Sequence, residues 1–383
     1  MAKCIRYIYA ILAYILLVFV RTDRNKYLMT SMSGNSYGGN PRAFSDYLHM
    51  HFPKMKQVWA FADDSFKVDK KIGNSVRLYT FSYYWHLYTS ANIISDQRLY
   101  KPMYPWKRKG QYYVQTWHGT ALKRIEADIP QVSKEYVKNA IRDSLKSDLY
   151  ISGSDYMSKL FKKSFWYSGE ILTAGTPRND VFFDAHEMLL RKEKVFEALG
   201  ISPHKKVLLY APTFRANSSF EAYGIDTKRV SNTLNKAMGG NWVLLIRLHP
   251  NLVKNKKQSE WEILFPSTIN VTSYPDIQDL LCAANILVTD YSSCMFDYMY
   301  TLRPCIIFAE DIGNYDRGFY MSVNSLPFPV ANNNSELEKA IKNFDENTYK
   351  ANISDFVSKI GSVENGEACK TLYKHIQNRW EQK

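Results

Sequence analysis

Short apolar runs alternate with amphipathic stretches along the whole chain, and this alternation restricts the fold more than any other feature. In the first half the runs are Lys26–Thr30, Val58–Phe61, Asn92–Ser95, Tyr112–Gln115, Leu149–Ser152 and Glu170–Ala174. In the second half they are Lys206–Tyr210, Trp242–Ile246, Ile286–Val288 and Cys305–Phe308. Helical periodicity fills many of the gaps, as at Lys134–Leu145 and Ile277–Ala284. Strands separated by helices in this way predict parallel sheets of the doubly wound α/β type. The 383 residues suffice for two domains, each with its own core. A seam is expected at Leu199-Gly200-Ile201-Ser202-Pro203, where a charged helical stretch gives way to Gly and Pro before a new buried strand. The expected organisation is therefore an N-terminal segment 1–25, a first domain 26–199 and a second domain 200–383. Ser335-Glu336-Leu337-Glu338 has the form of a capping box, and Glu367–Trp380 reads as a closing helix.

A hydrophobic content of 45% belongs to a globular chain, not a disordered one. The formal net charge of +13 calls for an anionic partner: nucleic acid, a membrane surface or a phosphate-bearing substrate. The five cysteines form no C-x-x-C pair and are odd in number, which argues against a disulfide framework or a zinc site. From Ile5 to Val20 only Arg6 is charged, and Lys3, Arg21, Arg24 and Lys26 flank the run. It falls short of a comfortable membrane span and is followed by no small-x-small cleavage site. Three readings remain: a helix packed on the protein itself, one lying at the cytoplasmic membrane face with tyrosines and cations at the headgroups, or a spanning helix.

Two histidines end strand-like runs: His118 in Gln115-Thr116-Trp117-His118-Gly119-Thr120, and His249 in Arg247-Leu248-His249-Pro250. In open α/β sheets ligands bind at the carboxyl ends of strands, so both are candidates for one active site built between two domains. An imidazole titrates near neutrality and takes a proton from an alcohol; charged, it stabilises phosphate oxygens. Thr289-Asp290-Tyr291-Ser292-Ser293 follows a strand and opens a helical pattern running toward Leu302. Ser292 and Ser293 there either cap the helix or help its N-terminus hold a phosphate. Arg178, in Thr176-Pro177-Arg178-Asn179-Asp180, either forks onto a phosphate or pairs with Asp180 on a solvated loop. Ala211-Pro212-Thr213 has the same layout after its own strand. The glycine-rich Gly34–Pro41 loop matches neither a dinucleotide nor a Walker fingerprint and is expected to shape the acceptor side. No acidic cluster has metal-ligand spacing, so neither a cofactor nor a bound metal is expected.

Together, Trp117-His118-Gly119-Thr120, Thr176–Asp180, Ala211-Pro212-Thr213, Arg247-Leu248-His249-Pro250 and Thr289–Ser293 through Asp297 resemble the CDP-glycerol glycerophosphotransferase family of bacterial teichoic-acid synthesis. The resemblance runs from about Lys26 to the closing helix. It implies the GT-B architecture, two Rossmann-like domains facing across a cleft, with the CDP donor held mainly by the second. It further implies transfer of glycerol phosphate from CDP-glycerol to a hydroxyl of a prenyl-diphosphate-linked saccharide or a growing teichoic-acid or capsule chain, with release of CMP. By the same analogy His118 is the base and His249 stabilises the phosphates or protonates the leaving group. Trp117, Gly119 and Thr120 then flank the base, while Arg178, Pro212, Thr213, Arg247, Ser292, Ser293 and Asp297 line the donor site. Ala121 stands where the family pattern often has proline, which loosens that turn. The resemblance is to short, primase-like members acting peripherally at the cytoplasmic membrane face, with no nucleic acid as partner. Alternatives are a CDP-ribitol donor, a GT-B nucleotide-sugar glycosyltransferase, and a non-enzymatic basic module binding membrane or nucleic acid.

Overall fold

The computed structural model describes residues 2–213, 223–248, 258–312 and 318–382. It comprises two compact units. One holds the chain up to His118, Ile125–Asp180 and the return from Gly361; the other holds Gly119–Arg124 and Val181–Ile360.

The first unit is built on a seven-stranded sheet with strands β1 (Asp23–Thr30), β2 (Lys56–Phe61), β3 (Asn74–Arg77), β4 (Ser90–Ser95), β5 (Tyr112–Gln115), β6 (Leu149–Ser152) and β7 (Glu170–Thr173). Their order is β3-β2-β1-β4-β5-β6-β7, every pair parallel. The second unit has β8 (Lys206–Tyr210), β9 (Trp242–Ile246), β10 (Thr268–Asn270), β11 (Ile286–Thr289), β12 (Cys305–Phe308) and β13 (Val330–Ala331). These run β10-β9-β8-β11-β12-β13, again all parallel. Both orders reverse direction beside the first strand, at β1/β4 and at β8/β11, which is the Rossmann switch point. The expected doubly wound α/β class is the observed one.

Strand periodicity distributes the first core over two faces. Leu28, Val58, Ala60, Ile93 and Tyr113 point to the side covered by helices α1 (Ala2–Leu17) and α3 (Phe81–Thr89). Tyr27, Met29, Trp59, Ile94 and Val114 point to the other, covered by α2 (Gly39–His51) and the closing helix Ala368–Glu381. The strands β4, β5 and β6 are buried throughout, as strands with helices on both faces must be.

Four features depart from the sequence expectations. Strands β3, β10 and β13 carry no marked apolar run, and each lies at an edge of its sheet, where a strand needs less burial. The seam expected at 199–203 falls inside the second unit. Helix Ala185–Leu199 packs on the helix Ile277–Ala283, with an Arg191–Asp279 ion pair at 3.1 Å, so Gly200 is a left-handed helix stop and not a linker. The closing helix belongs to the first unit, where Cys369, Leu372, Ile376 and Trp380 enter the core. The capping box also shifts: Asn333 caps its helix by accepting from the Glu336 N–H at 3.0 Å, while the Glu336 carboxylate reaches back to the Asn332 N–H at 2.8 Å.

The N-terminal helix α1 buries Ala10, Ala13 and Leu17 against α3. Its outward face leaves Ile8, Ile11, Leu12, Ile15 and Leu16 exposed.

Trp380 anchors the return of the chain: its indole N–H donates to Asn92 Oδ1 at 2.9 Å and its ring lies in the core. We expect Trp380→Ala to cost about 3–5 kcal/mol, lost packing plus an unpaired Asn92 oxygen, read as a lower denaturant midpoint for the first unit.

Candidate functional site

In the first unit the site grows from the ends of β4 and β5. Hydrogen bonding continues past the strands, the Thr116 N–H donating to the Ser95 carbonyl at 2.8 Å. The chain then bends sharply. Trp117 takes a left-handed backbone (φ 51°), its N–H held by Gln115 Oε1 at 2.9 Å. That conformation costs a non-glycine residue roughly 1–2 kcal/mol. Gly119 follows at φ 124°, a region open to glycine alone. The bend stacks the Trp117 ring on the His118 ring, centroids 4.2 Å apart, with Phe165 edge-on behind it at 4.6 Å.

His118 Nδ1 lies 2.8 Å from the Asp96 carbonyl oxygen. A carbonyl only accepts, so Nδ1 carries a proton, and in the neutral imidazole the lone pair is on Nε2. The tautomer is the one a base acting through Nε2 requires.

Asp96, one residue past β4, was not among the sequence candidates. Its carboxylate accepts from Ser31 Oγ at 2.5 Å and from the Met32 N–H at 2.9 Å, tying the end of β4 to the end of β1. Complete burial pushes this carboxyl up to about 6, against the pull of those two hydrogen bonds and of the Arg178 charge.

Arg178 is buried, which removes the solvated-loop reading. Its turn is braced by the returning chain: the Thr176 N–H donates to Glu364 Oε2 at 2.9 Å. The Asp180 carboxylate receives the N–H groups of Ala368 and Cys369 at 2.9 and 2.8 Å, capping the closing helix. A buried ion cluster fastens the re-entry of the chain at 125–128. The Arg98 guanidinium donates to Glu126 Oε2 at 2.7 Å and to Asp143 Oδ2 at 3.3 Å.

In the second unit the ends of β8 and β11 are laced by Asp290. Its oxygens accept from the Thr213 N–H at 2.9 and 3.0 Å, from Thr213 Oγ1 at 3.0 Å and from the Tyr291 N–H at 2.5 Å. Thr213 and neighbouring Pro212 are thereby fixed at the switch point. Ser292 and Ser293 are half-buried at the start of the helix Cys294–Tyr298, as the sequence predicted. Ser293 sits at the cap position with no side-chain cap bond, so capping does not account for it. Asp297 is buried on that helix. Arg247 directs Nη1 at the carbonyls of Val271 and Tyr274, 3.2 and 2.6 Å away, and so pins the turn after β10. Burial draws its guanidinium below the ordinary arginine value. Gly119 and Thr120 belong to this unit's inserted strip, held where the Tyr320 N–H donates to the Leu122 carbonyl at 2.8 Å. His249 lies outside the described residues.

Two doubly wound, Rossmann-like units with polar turns at their switch points match the GT-B fold class that the sequence implied. Residues 12–378 match the CDP-glycerol:poly(glycerophosphate) glycerophosphotransferase family, and the chain belongs to it. It is 32% identical over 357 residues to the teichoic acid poly(glycerol phosphate) polymerase of Staphylococcus epidermidis, spanning 89% of this chain and 49% of that protein. The chain thus spans about half the length of that relative. Against the teichoic acid glycerol-phosphate transferase of Staphylococcus aureus identity is 30% over 374 residues, covering 92% of this chain and 94% of the other. The solved wall teichoic acid polymerase TagF superposes with a TM-score of 0.85 at 28% identity, over 100% of this chain and 94% of the solved one.

Asp96 yields a signed pH prediction. Its native carboxyl takes up a proton near pH 6, the unfolded one near 3.8. Its contribution therefore favours the fold fully below the unfolded value and is lost as pH rises through about 6. We expect Asp96→Asn to melt with wild type at pH 4 and to be more stable by about 1–3 kcal/mol at pH 7.5, followed by thermal melts across that range.

Proposed function

We propose that this chain transfers glycerol phosphate from CDP-glycerol to a hydroxyl of a prenyl-diphosphate-linked saccharide or of a growing teichoic-acid or capsule chain. The acceptor oxygen attacks the β-phosphorus in line, the bond to the α-phosphate oxygen breaks, and CMP leaves. His118 takes the acceptor proton. The observation that carries this reading is the His118–Asp96 hydrogen bond, which leaves Nε2 as the basic nitrogen at a strand end beside the switch point.

His249 is assigned, by family likeness, to the phosphates or the leaving group. Arg178, Pro212, Thr213, Arg247, Ser292, Ser293 and Asp297 are assigned to the donor. The geometry refines three of these assignments. Thr213 spends its hydroxyl on Asp290 and Arg247 spends Nη1 on backbone carbonyls, so each holds a donor turn in shape as well as facing it. Ser293, uncommitted to capping its helix, is the better candidate for a phosphate oxygen. Transition-state charge on the transferred phosphoryl group falls to buried cations and helix N–H groups.

Among the described residues no helix is long and apolar enough to cross a membrane. We place the protein peripherally on the cytoplasmic membrane face, seated by the outward side of α1. Ile15 and Leu16 are exposed there, Phe19 is 96% exposed, and the exposed cation Arg21 follows. Replacing Ile15 and Leu16 with serine should reduce co-sedimentation with anionic vesicles and leave turnover of a soluble acceptor analogue unchanged. Equal sedimentation would remove α1 from that role.

His118→Ala should lower CMP release from CDP-glycerol by about a hundredfold or more, the usual scale for losing an acid–base group. Release of a nucleoside diphosphate from a nucleotide sugar would instead favour a glycosyltransferase. Mass spectrometry of the product made with CDP-glycerol and a short-chain prenyl-diphosphate disaccharide identifies the unit transferred and distinguishes glycerol from ribitol.

A further inference from the structure

We propose that Asn40 is a positioning residue that sets the His118 turn and the Arg178 turn against a single frame. It stands in the first turn of α2, in the glycine-rich loop at the carboxyl end of β1, and is fully buried. An asparagine there would ordinarily cap its own helix. Gly38 holds the cap position instead, and the Asn40 side chain reaches across the unit.

Its Nδ2 donates to the Thr116 carbonyl at 3.1 Å and to the Trp117 carbonyl at 2.9 Å, while its Oδ1 accepts the Arg178 N–H at 3.1 Å. Carbonyls only accept and a backbone N–H only donates, so the partners fix the amide orientation without ambiguity. The gripped segment is the one under strain: Trp117 has φ 51° and the next residue is His118. A left-handed tryptophan persists only when its surroundings over-determine it. Asn40 supplies two of the bonds that do so, and its third bond places Arg178 from the same side chain.

A shift of about 1 Å in a reacting group can cost around a hundredfold, so the grip on residues 116 and 117 acts on turnover through the His118 imidazole. The inference rests on the reading of His118 as the base and of Arg178 as a donor contact.

Asn40→Asp separates the two arms, because a carboxylate keeps the acceptor for the Arg178 N–H and loses both donors to the 116 and 117 carbonyls. We expect kcat to fall about tenfold or more with KM for CDP-glycerol within about twofold, whereas Asn40→Ala also raises KM. A double-mutant cycle with His118→Ala tests the route. If Asn40 acts through His118, adding Asn40→Asp to His118→Ala lowers the residual turnover by less than about twofold. Equal fractional losses in both backgrounds, or wild-type kcat in Asn40→Asp, would overturn the proposal. Full turnover in His118→Ala alone would overturn the base reading instead. Should Asn40→Asp fail to fold, Asn40→Ser, which is uncharged and too short to reach both carbonyls, enters the same cycle with the same expected outcome.

Discussion

Parallel pairing makes every strand of a sheet point the same way, so all its carboxyl ends and the turns that follow share one edge. At the switch point the connections on either side run apart, and the backbone groups left between them need partners. Both units meet this need with the same device. Asp96 is the residue after β4 and Asp290 the residue after β11, the matching strand of the second sheet. Each accepts backbone N–H and hydroxyl donors from just beyond the first strand of its sheet: Ser31 and Met32 in one case, Thr213 in the other. Residues proposed to carry the chemistry hang on these two stitches. The Asp96 carbonyl sets the His118 tautomer, and the Asp290 carboxylate sets the turn that carries Pro212 and Thr213.

Buried charge at the chain's re-entry is matched with partners. Glu126 and Asp143 surround Arg98, and Tyr136 Oη and the Leu99 N–H satisfy oxygens that the guanidinium leaves. Such a cluster adds little net stability compared with apolar residues of equal volume, yet removing one member leaves a charge stranded. Its worth here is location: it fixes the segment where the chain re-enters the first unit, shortly after the His118 turn.

The central strands and the class of fold were legible in the sequence because strands covered on both faces must be apolar without interruption. Edge strands such as Asn74–Arg77 lack that signature, since a single buried residue suffices for them. His118, Thr213 and Ser293 stand out in the sequence as candidates because a strand end followed by a turn is a local pattern. Asp96 and Asn40 could not be picked out, since each reads as an ordinary loop or helix-start residue. What marks them is contact with segments far away in sequence, and no local spacing records that. The Leu199–Pro203 seam misled for a related reason: a glycine that stops a helix and one that begins a linker look alike until the helix is seen to pack.

The first unit is discontinuous: its last helix, with Trp380 in the core and Glu364 beneath the Arg178 turn, follows the whole second unit in sequence. In chain order the seven strands of this sheet come long before the helix that, with α2, covers one side of them. The first unit therefore keeps part of its apolar surface uncovered until that helix has docked. The arrangement makes the brace beneath the Arg178 turn depend on a segment that follows the second unit in sequence.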